Sequence, residues 1–465
     1  IDRNVDRFGQ FTTDFRRIHA GALLEADGGT VIFNAEDALV EPFVWRILRR
    51  ALRSGRVEIE AYDPFVVFTP AGIRPEPIRV SSKVVLTGPR WLFEFLLRAD
   101  DEFPDLFKVL ADFSPVVERA PESIRALCGR ISGLVAREGL LPFESSALDA
   151  LVELSVREAD DRRKLHLGSE SVLDAAREAS LHAASSGHSK VTGEDVHEAI
   201  RERIYRLDRV EQEIREAIDR NVLLVDLDGR CIGQVNALSV AELSGHAFGR
   251  PSRLTATVGP GAAGVVSIDR ETKLSGAVHN KGVLILEGFL RDRFARGRPL
   301  SLVASVVFEQ SYGHVEGDSA SLAELLAILS HLGEFPLRQD RAVTGSVNQL
   351  GEVQAIGGIN EKIEGFFDCC RVARAKGEHG VVFPATNVQH LVLREDVVQA
   401  MERGEFLLIP VHTVDEALEA LADARAGSPM ESGTLYYQVD QAIEKLVGQM
   451  RSLGPPGAGP RAGDG

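Results

Sequence analysis

The stretch EGDSASLAELLAILSHLGEF, residues 316–335, joins a cluster of small and acidic residues to an apolar run. Apolar residues fill the run at helical spacing and leave few polar positions, which predicts a buried helix over Ser319–His331. Gly333 is suited to end that helix. Serine is a common N-cap residue, and this window taken alone favours that role for Ser319.

A nucleophile is the second interpretation of Ser319. The first turn of a helix has unpaired N–H groups at the positive end of the helix dipole, and these can hold a developing oxyanion. A serine nucleophile also requires a base. The chain has no G-x-S-x-G motif, and none of His279, His314 and His331 stands in a recognised triad context.

Lys362 is the candidate base. It falls in the first turn of a predicted helix, where the dipole opposes its charge, and it has apolar neighbours and two preceding glycines. A solvated surface lysine is the more common explanation of such a residue. Sequence spacing does not bring Lys362 to Ser319, because the two positions are 362 − 319 = 43 residues apart.

Composition limits the function classes. The net charge of −16 argues against general binding to nucleic acid or to an anionic membrane, and 44% hydrophobic with 26% charged residues is typical of a globular protein. No apolar run reaches the ~20 residues of a membrane span. The four cysteines (Cys128, Cys231, Cys369 and Cys370) lack zinc-ligand spacing, which predicts free thiols, a reducing cytoplasm and no metal.

Pattern changes divide the 465 residues into four parts. Residues 1–115 alternate strand-like and helical runs, with strands at 28–33 and 83–88, a helix over Ala38–Ser54 and a hairpin at 57–70. Residues 116–217 have the three- and four-residue apolar spacing of a helical bundle, in which Thr192 begins the last helix before a charged connecting helix at 208–220. Residues 218–425 are mixed α/β, and 426–465 form an extension with a disordered tail.

Within residues 218–425 the patterns predict alternating strands and helices, so the predicted fold class is α/β plus α. The strands are predicted at 222–227, 253–259, 264–269, 301–310, 341–347 and 380–384, and the helices at Gly282–Arg296, Ser319–His331, Glu361–Ala375 and Val414–Ala424.

Several motifs in this region, in order, resemble the Lon protease family. They are RETKLSGAVHNKGVLILEGFL (270–290), FEQSYGHVEGDSAS (308–321), AVTGSVNQLGEVQAIGGINEKIEG (342–365), VVFPATN (381–387) and IPVHTVDEALEAL (409–421). The resemblance implies a Lon-type α/β peptidase domain, a degenerate AAA+-like region at 1–115, a helical lid domain at 116–217 and a homo-hexameric ring.

The resemblance also assigns site residues by position. It implies that Ser319 is the nucleophile, that Lys362 is the general base and that Thr344 holds the lysine. Asp318 matches the acidic residue before the serine in the archaeal-type branch. The backbone N–H groups near Gly317 and Ser319 are expected to receive the oxyanion. Lys281, the other embedded lysine, has no catalytic role in the family match.

The ATPase-like region departs from the family pattern. The stretch HAGALLEADGGTVIFNAEDAL (19–39) resembles the end of a Walker B motif, but Asn34 and Ala35 stand where active members have Asp-Glu. Asn and Ala can neither hold magnesium nor activate water well. The printed sequence also has no G-x-x-x-x-G-K-[ST]. This pattern is similar to the Lon subgroup called type C, in which the module persists without ATP hydrolysis.

The sequence therefore predicts a Ser–Lys endopeptidase that degrades unfolded or damaged polypeptides without ATP hydrolysis, cofactor, nucleic acid or membrane. One alternative is an ATP-dependent Lon protease whose phosphate loop lies upstream of Ile1. The other is a catalytically silent assembly scaffold, against which the presence of Ser319, Lys362 and Thr344 argues.

Overall fold

A computed structural model describes residues 4–5, 11–12, 19–41, 43–58, 76–243, 245–310, 315–375 and 377–453. The chain divides into two compact units, Ile1–Ser114 and Pro115–Gly465. The α/β-plus-α class is confirmed.

The first unit is α/β. Its elements are β1 (Asn4–Val5), β2 (Phe11–Thr12), α1 (Ala22–Glu25), β3 (Thr30–Asn34), α2 (Ala35–Val40), α3 (Val44–Ser54), β4 (Arg56–Val57), β5 (Ile78–Arg79), β6 (Lys83–Thr87), α4 (Arg90–Ala99) and α5 (Phe103–Leu106). Strands β3 and β6 pair in parallel, which confirms the two strands predicted around 28–33 and 83–88. A small core of Ala35, Leu92, Leu96 and Phe103 lies beside them.

The single helix predicted over Ala38–Ser54 is wrong. The structure has two helices, α2 and α3, and Phe43 between them adopts φ 70°, a left-handed conformation that ends any continuous helix. Pro42 was the available signal, because the residue before a proline avoids the helical region. Most of the hairpin predicted at 57–70 lies outside the described residues.

The second unit begins with helices. They are α6 (Pro121–Glu138), α7 (Ser145–Glu158), α8 (Glu170–Ser185), α9 (Gly193–Leu207) and α10 (Arg209–Asp219), with the short strands β7 (Val116–Glu118) and β8 (Lys164–His166). The apolar faces of α6, α7, α8 and α9 share one core, which confirms the predicted bundle. Thr192 caps α9 by accepting a hydrogen bond from Asp195 N, as its sequence pattern predicted.

The rest of the second unit is mixed α/β. Its strands are β9 (Arg230–Cys231), β10 (Gln234–Leu243), β11 (His246–Pro260), β12 (Gly264–Ser267), β13 (Leu302–Phe308), β14 (Leu337–Arg338), β15 (Arg341–Val343), β16 (Ser346–Val347), β17 (Val353–Gln354), β18 (His379–Pro384) and β19 (Phe406–Val411). Its helices are α11 (Ile268–Glu271), α12 (Ala277–Phe294), α13 (Ser321–Gly333), α14 (Ile359–Val372), α15 (Glu395–Glu402), α16 (Val414–Ala422) and α17 (Leu435–Leu453), with a 3-10 helix at Ala385–His390.

Seven strands form the main sheet, in the order β12-β13-β11-β10-β15-β18-β19. The β13-β11-β10 pairs are antiparallel, and the others are parallel. Helix α13 is buried along almost its whole length and packs on β10, β11, α12 and α17. The burial predicted for the 316–335 stretch is therefore confirmed. None of the helices in the described ranges is long and apolar enough to cross a membrane.

Two expectations for this region are wrong. Residues 222–227 form no strand, because their backbone groups bond elsewhere. Val222 N and Leu223 N donate to Ala217 O at the end of α10, while the Gln310 side chain accepts from Leu224 N and donates to Val222 O. The extension after residue 425 contains the unpredicted helix α17, whose residues Leu435, Tyr436, Val439, Ile443 and Val447 are buried. The four-residue spacing of these apolar positions was the signal. The remaining tail lies beyond the described residues.

Candidate active site

Ser319 lies in the turn between β13 and α13. The helix begins at Ser321, so the expectation that Ser319 opens the helix is wrong by two residues. Its carbonyl accepts hydrogen bonds from Gly345 N (2.8 Å) and Thr344 Oγ1 (3.3 Å). The segment that follows β15 therefore holds the Ser319 backbone in place, and the side chain is partly exposed.

Lys362 is the fourth residue of α14, and its side chain points at this turn. Its Nζ lies 2.9 Å from Ser319 Oγ and 3.3 Å from Thr344 Oγ1. Lys362 is only 3% exposed, so the surface-lysine interpretation is wrong. The structure brings together Ser319, Lys362 and Thr344, three of the residues that the sequence singled out.

A contact between two glycines allows α14 to approach the sheet closely enough for Lys362 to reach. A Cβ added to Gly249 on β11 would lie 1.9 Å from Glu361 O, and one added to Gly365 would lie 2.2 Å from Gly249 O. Real Cβ atoms do not come so close to a backbone oxygen. The helix and the strand therefore touch backbone to backbone, one helical turn from Lys362.

Burial makes Lys362 easier to deprotonate. It lowers the pKa of Lys362 from 10.5 to about 8, and the carboxylates of Asp318 and Glu361 oppose that decrease. A substantial fraction of the amine is therefore neutral slightly above neutral pH, which is the form that can accept a proton.

Asp318 is anchored beside the site. Its Oδ2 accepts a hydrogen bond of 2.8 Å from Ser346 Oγ, and no ion pair within the described ranges joins it to Lys362. Asp318 acts on the lysine through its charge, because it is the first of the two carboxylates that favour the protonated amine.

Two N–H groups at the start of α13 are already occupied. Ser321 N bonds to Asp318 O, and Leu322 N bonds to Gly345 O. These two groups are therefore not free donors. In the described part of the structure, no hydrogen bond is recorded for the N–H of Ser319. The turn over Gly317–Ser319 is therefore where a backbone N–H is left to bind an oxyanion.

A buried polar cluster behind this turn was missed by the sequence reasoning. His279 on α12 is bonded to the backbone of Gly317, and its Nε2 lies 3.6 Å from Glu324 Oε1 on α13. Burial lowers the pKa of His279 and raises the pKa of Glu324 to about 8, an increase that Asp269 reinforces. Both groups are therefore neutral near pH 7. The lone Glu324 in an otherwise apolar helix was the available signal.

The other candidate side chains lie elsewhere. His331 is in the last turn of α13, at the end away from Ser319, and His314 lies outside the described residues. Lys281 is exposed on α12 rather than embedded.

Asn34 and Ala35 have structural roles in the first unit. Asn34 ends β3 and caps α2, where its Oδ1 accepts hydrogen bonds from Glu36 N (2.8 Å) and Asp37 N (3.4 Å). Ala35 is buried in the core beside α4. These positions therefore supply a cap and a packed methyl group, and neither has a carboxylate to bind magnesium.

Three family models match the chain in order. They are described as "LonB-like, AAA domain" (residues 1–114), "Archaeal LonB, AAA+ ATPase LID domain" (142–206) and "Lon protease (S16) C-terminal proteolytic domain" (313–423). The last match contains Ser319, Thr344 and Lys362, and the second contains most of the helical bundle, which we call the lid from here on.

Curated relatives point to the same family. A protein of Escherichia coli K12 named "Putative Lon protease homolog" is 33% identical over 423 residues, which cover 89% of this chain and 70% of the relative. A protein of the same name from Haemophilus influenzae is 31% identical over 86% of this chain and 66% of its own length. An "Archaeal Lon protease" from Pyrococcus abyssi is 30% identical over 64% of this chain and 28% of the relative. With a relative matched over most of both sequences and a proteolytic-domain match around a serine and a buried lysine, the chain belongs to the Lon protease family.

Proposed function

We propose that this protein is a Ser–Lys endopeptidase that cleaves unfolded or damaged polypeptides without hydrolysing ATP. One observation carries the catalytic part of the proposal: a lysine that is almost fully buried lies 2.9 Å from a partly exposed serine hydroxyl. A buried amine of lowered pKa next to a hydroxyl is the arrangement that activates a serine without histidine.

The reaction is acyl transfer in two halves. Neutral Lys362 accepts the hydroxyl proton of Ser319 while Oγ bonds to the peptide carbonyl carbon. The resulting ammonium gives that proton to the leaving amine as the C–N bond breaks, and an acyl-enzyme remains on Ser319. Water then enters by the same route and releases the second product. Thr344 fixes the lysine, because its Oγ1 contacts Lys362 Nζ and donates to Ser319 O.

The oxyanion of each half reaction is assigned to the backbone N–H groups of Gly317 and Ser319. Gly317 adopts φ 88°, a conformation that favours glycine, in the turn that leads to the nucleophile. Since Ser321 N and Leu322 N at the start of α13 already have acceptors, we assign the stabilisation to the turn before the helix.

A covalent probe tests the nucleophile. We expect a peptidyl fluorophosphonate to add one label to the full chain, on Ser319, as located by mass spectrometry of the digested protein. Labelling should become faster as the pH rises through about 8, because the neutral amine of Lys362 is required.

The matched control is Ser321→Ala, two residues away, which should leave the label in place, whereas Ser319→Ala should remove it. A label on another residue in the wild type, or equal labelling of the Ser319→Ala variant, would contradict the assignment. A silent scaffold would take up no label at all.

ATP independence is supported by the first unit. Asn34 caps a helix and Ala35 buries a methyl group at the positions where an ATP-hydrolysing AAA+ module, the unfolding motor of such a protease, would bind magnesium. This departure is the basis of the proposed likeness to the type C subgroup. Without a motor, a substrate has to arrive unfolded, because no work is available to open a stable domain.

Degradation assays test whether cleavage depends on ATP. We expect a permanently unfolded protein such as reduced, alkylated lactalbumin to be cleaved at the same rate with and without ATP and magnesium. Native, disulfide-intact lactalbumin should remain uncut, as measured by gel densitometry. A strict requirement for ATP would establish the rival, an ATP-driven Lon protease.

The wider setting follows the family resemblance. We infer a homo-hexameric ring, unfolded polypeptides as substrates and a cytoplasmic location, for which the free thiols Cys369 and Cys370 are suited. The domain limits at residues 115, 217 and 425 belong to the same proposal.

A further inference from the structure

Arg157 connects the lid to the part of α14 that carries Lys362. Arg157 lies near the end of α7. Its guanidinium donates two hydrogen bonds to Glu364, from Nη1 to Oε1 at 2.7 Å and from Nη2 to Oε2 at 2.8 Å. The same Nη2 lies 3.5 Å from Glu361 Oε1. A paired, planar contact of this kind is the strong form of an ion pair, and here it joins residues more than two hundred positions apart.

Both carboxylates stand next to the proposed base in the chain. Glu361 directly precedes Lys362, and Glu364 lies two residues after it on α14. Glu364 is 8% exposed at its side chain and Glu361 24%, so water screens neither of them fully. A positive group that pairs with these carboxylates therefore changes the electrostatic potential at the Lys362 amine.

We propose that Arg157 is a positioning residue for the peptidase, and that by holding Glu361 and Glu364 it couples docking of the lid to the ease with which Lys362 gives up its proton. The inference rests on the proposed role of Lys362 as the general base. With the lid docked, the guanidinium balances the carboxylates of α14. Without that contact, those carboxylates favour the protonated amine, which cannot activate Ser319.

Other charged groups around α14 are already paired among themselves. Arg394 binds Asp368 with two hydrogen bonds, and Arg215 from α10 also reaches Asp368. The charged side chains that pair with α14 from the elements packed on it are Arg157, Arg215, Arg394 and Asp396. Glu211 and His246 lie behind Arg215, and the turn before α13 adds Asp318 next to Lys362.

Arg163 offers a matched control on the same lid. Its Nη2 donates a 2.7 Å hydrogen bond to Gln389 Oε1 in the 3-10 helix, so it also joins the lid to the peptidase domain. That contact involves an uncharged partner. Losing it should remove one lid contact while Arg157 still holds the carboxylates of α14.

The experiment compares pH profiles of kcat/KM for a short fluorogenic peptide, with full-length variants. In the wild type, activity should rise with pH and level off above about 8, where Lys362 is neutral. Arg157→Gln should move that rise to higher pH by about half a unit, the size expected for losing one partly screened charge. Arg163→Gln should leave its position unchanged.

A double variant separates charge from simple loss of packing. Glu361→Gln alone should move the rise to lower pH, and in its background Arg157→Gln should produce a smaller shift than in the wild type. The inference would be overturned if kcat/KM of Arg157→Gln rose at the same pH as in the wild type. It would also be overturned if Arg163→Gln shifted the rise by the same amount as Arg157→Gln.

Failure of the proposed function would look different. If Lys362→Met keeps the activity and its pH profile, then Lys362 is not the base and both proposals fall. If Lys362→Met is inactive and Arg157→Gln causes no shift, only the role of Arg157 is lost.

Discussion

Replacing Lys362 with methionine is expected to abolish peptide cleavage while making the protein harder to unfold. The loss of activity should be about 10³-fold or more, because the variant keeps the serine but has no group to accept its proton. Methionine has nearly the length of the lysine stem and carries no charge, so it fits a site that is already 3% exposed. Hydrolysis of a fluorogenic peptide and urea unfolding of the same samples measure the two effects.

The gain in stability follows from the direction of the pKa shift. The unfolded chain binds the proton with a pKa near 10.5, and the folded protein with one of about 8, so the charged amine lowers the folding stability at every pH below 10.5 and by the full amount below about 8. The full difference of 10.5 − 8 = 2.5 pKa units corresponds to about 3 kcal/mol. The advantage of the Lys362→Met variant should therefore shrink as the pH rises from 8 to 10.5.

Lys281→Met is the matched control, because this lysine is exposed on α12 and its replacement removes no buried charge. It should change neither activity nor the unfolding midpoint appreciably. Two results would contradict the explanation by charge burial. One is a Lys362→Met protein that is less stable than the wild type at pH 7, and the other is a gain in unfolding free energy that is the same at pH 7 and at pH 10.5.

Glu324→Gln is expected to remove a large part of the pH dependence of stability. Burial raises the pKa of Glu324 from 4.5 to about 8, so the folded protein keeps a proton that the unfolded chain has lost over this range. Stability therefore falls with rising pH between 4.5 and 8, by about 1.4 kcal/mol per pH unit, and levels off above 8. Glutamine keeps the shape and removes the titration.

Urea unfolding from pH 5 to pH 8 measures this effect. The difference in unfolding free energy between variant and wild type should grow by up to about 4 kcal/mol across the range. Glu334→Gln, at an exposed position after the same helix, should follow the wild type. Parallel curves for Glu324→Gln and the wild type would mean that Glu324 is ionised in the folded protein.

Local patterns predicted the elements around the site well. The apolar run after Ser319 could only be a buried helix, and the glycines before Lys362 were a sound signal for the start of the next one. Their meeting could not be predicted from spacing, because it depends on how both helices pack against β10 and β11. The family resemblance supplied that juxtaposition, and the structure provides the distance of 2.9 Å.

The missed features depend on tertiary contacts. Nothing near His279 in sequence indicates Glu324 or Gly317, since these residues come together only when α12 packs behind the turn that carries Ser319. Arg157 is the arginine of α7, nothing in its local sequence marks it out, and its partners lie far along the chain. The predicted strand at 222–227 failed for a similar reason, because a helix end and a distant glutamine take its backbone bonds.

The contact between Gly249 and Gly365 constrains how this enzyme can evolve and be controlled. A methyl group at either position would strike a main-chain oxygen, which no rotamer change can relieve. Substitution at one site therefore cannot be compensated by a smaller residue at the other, since both are already the smallest. The distance between this helix and the sheet is therefore set by the two glycines, and a change that tunes Lys362 has to leave both of them in place.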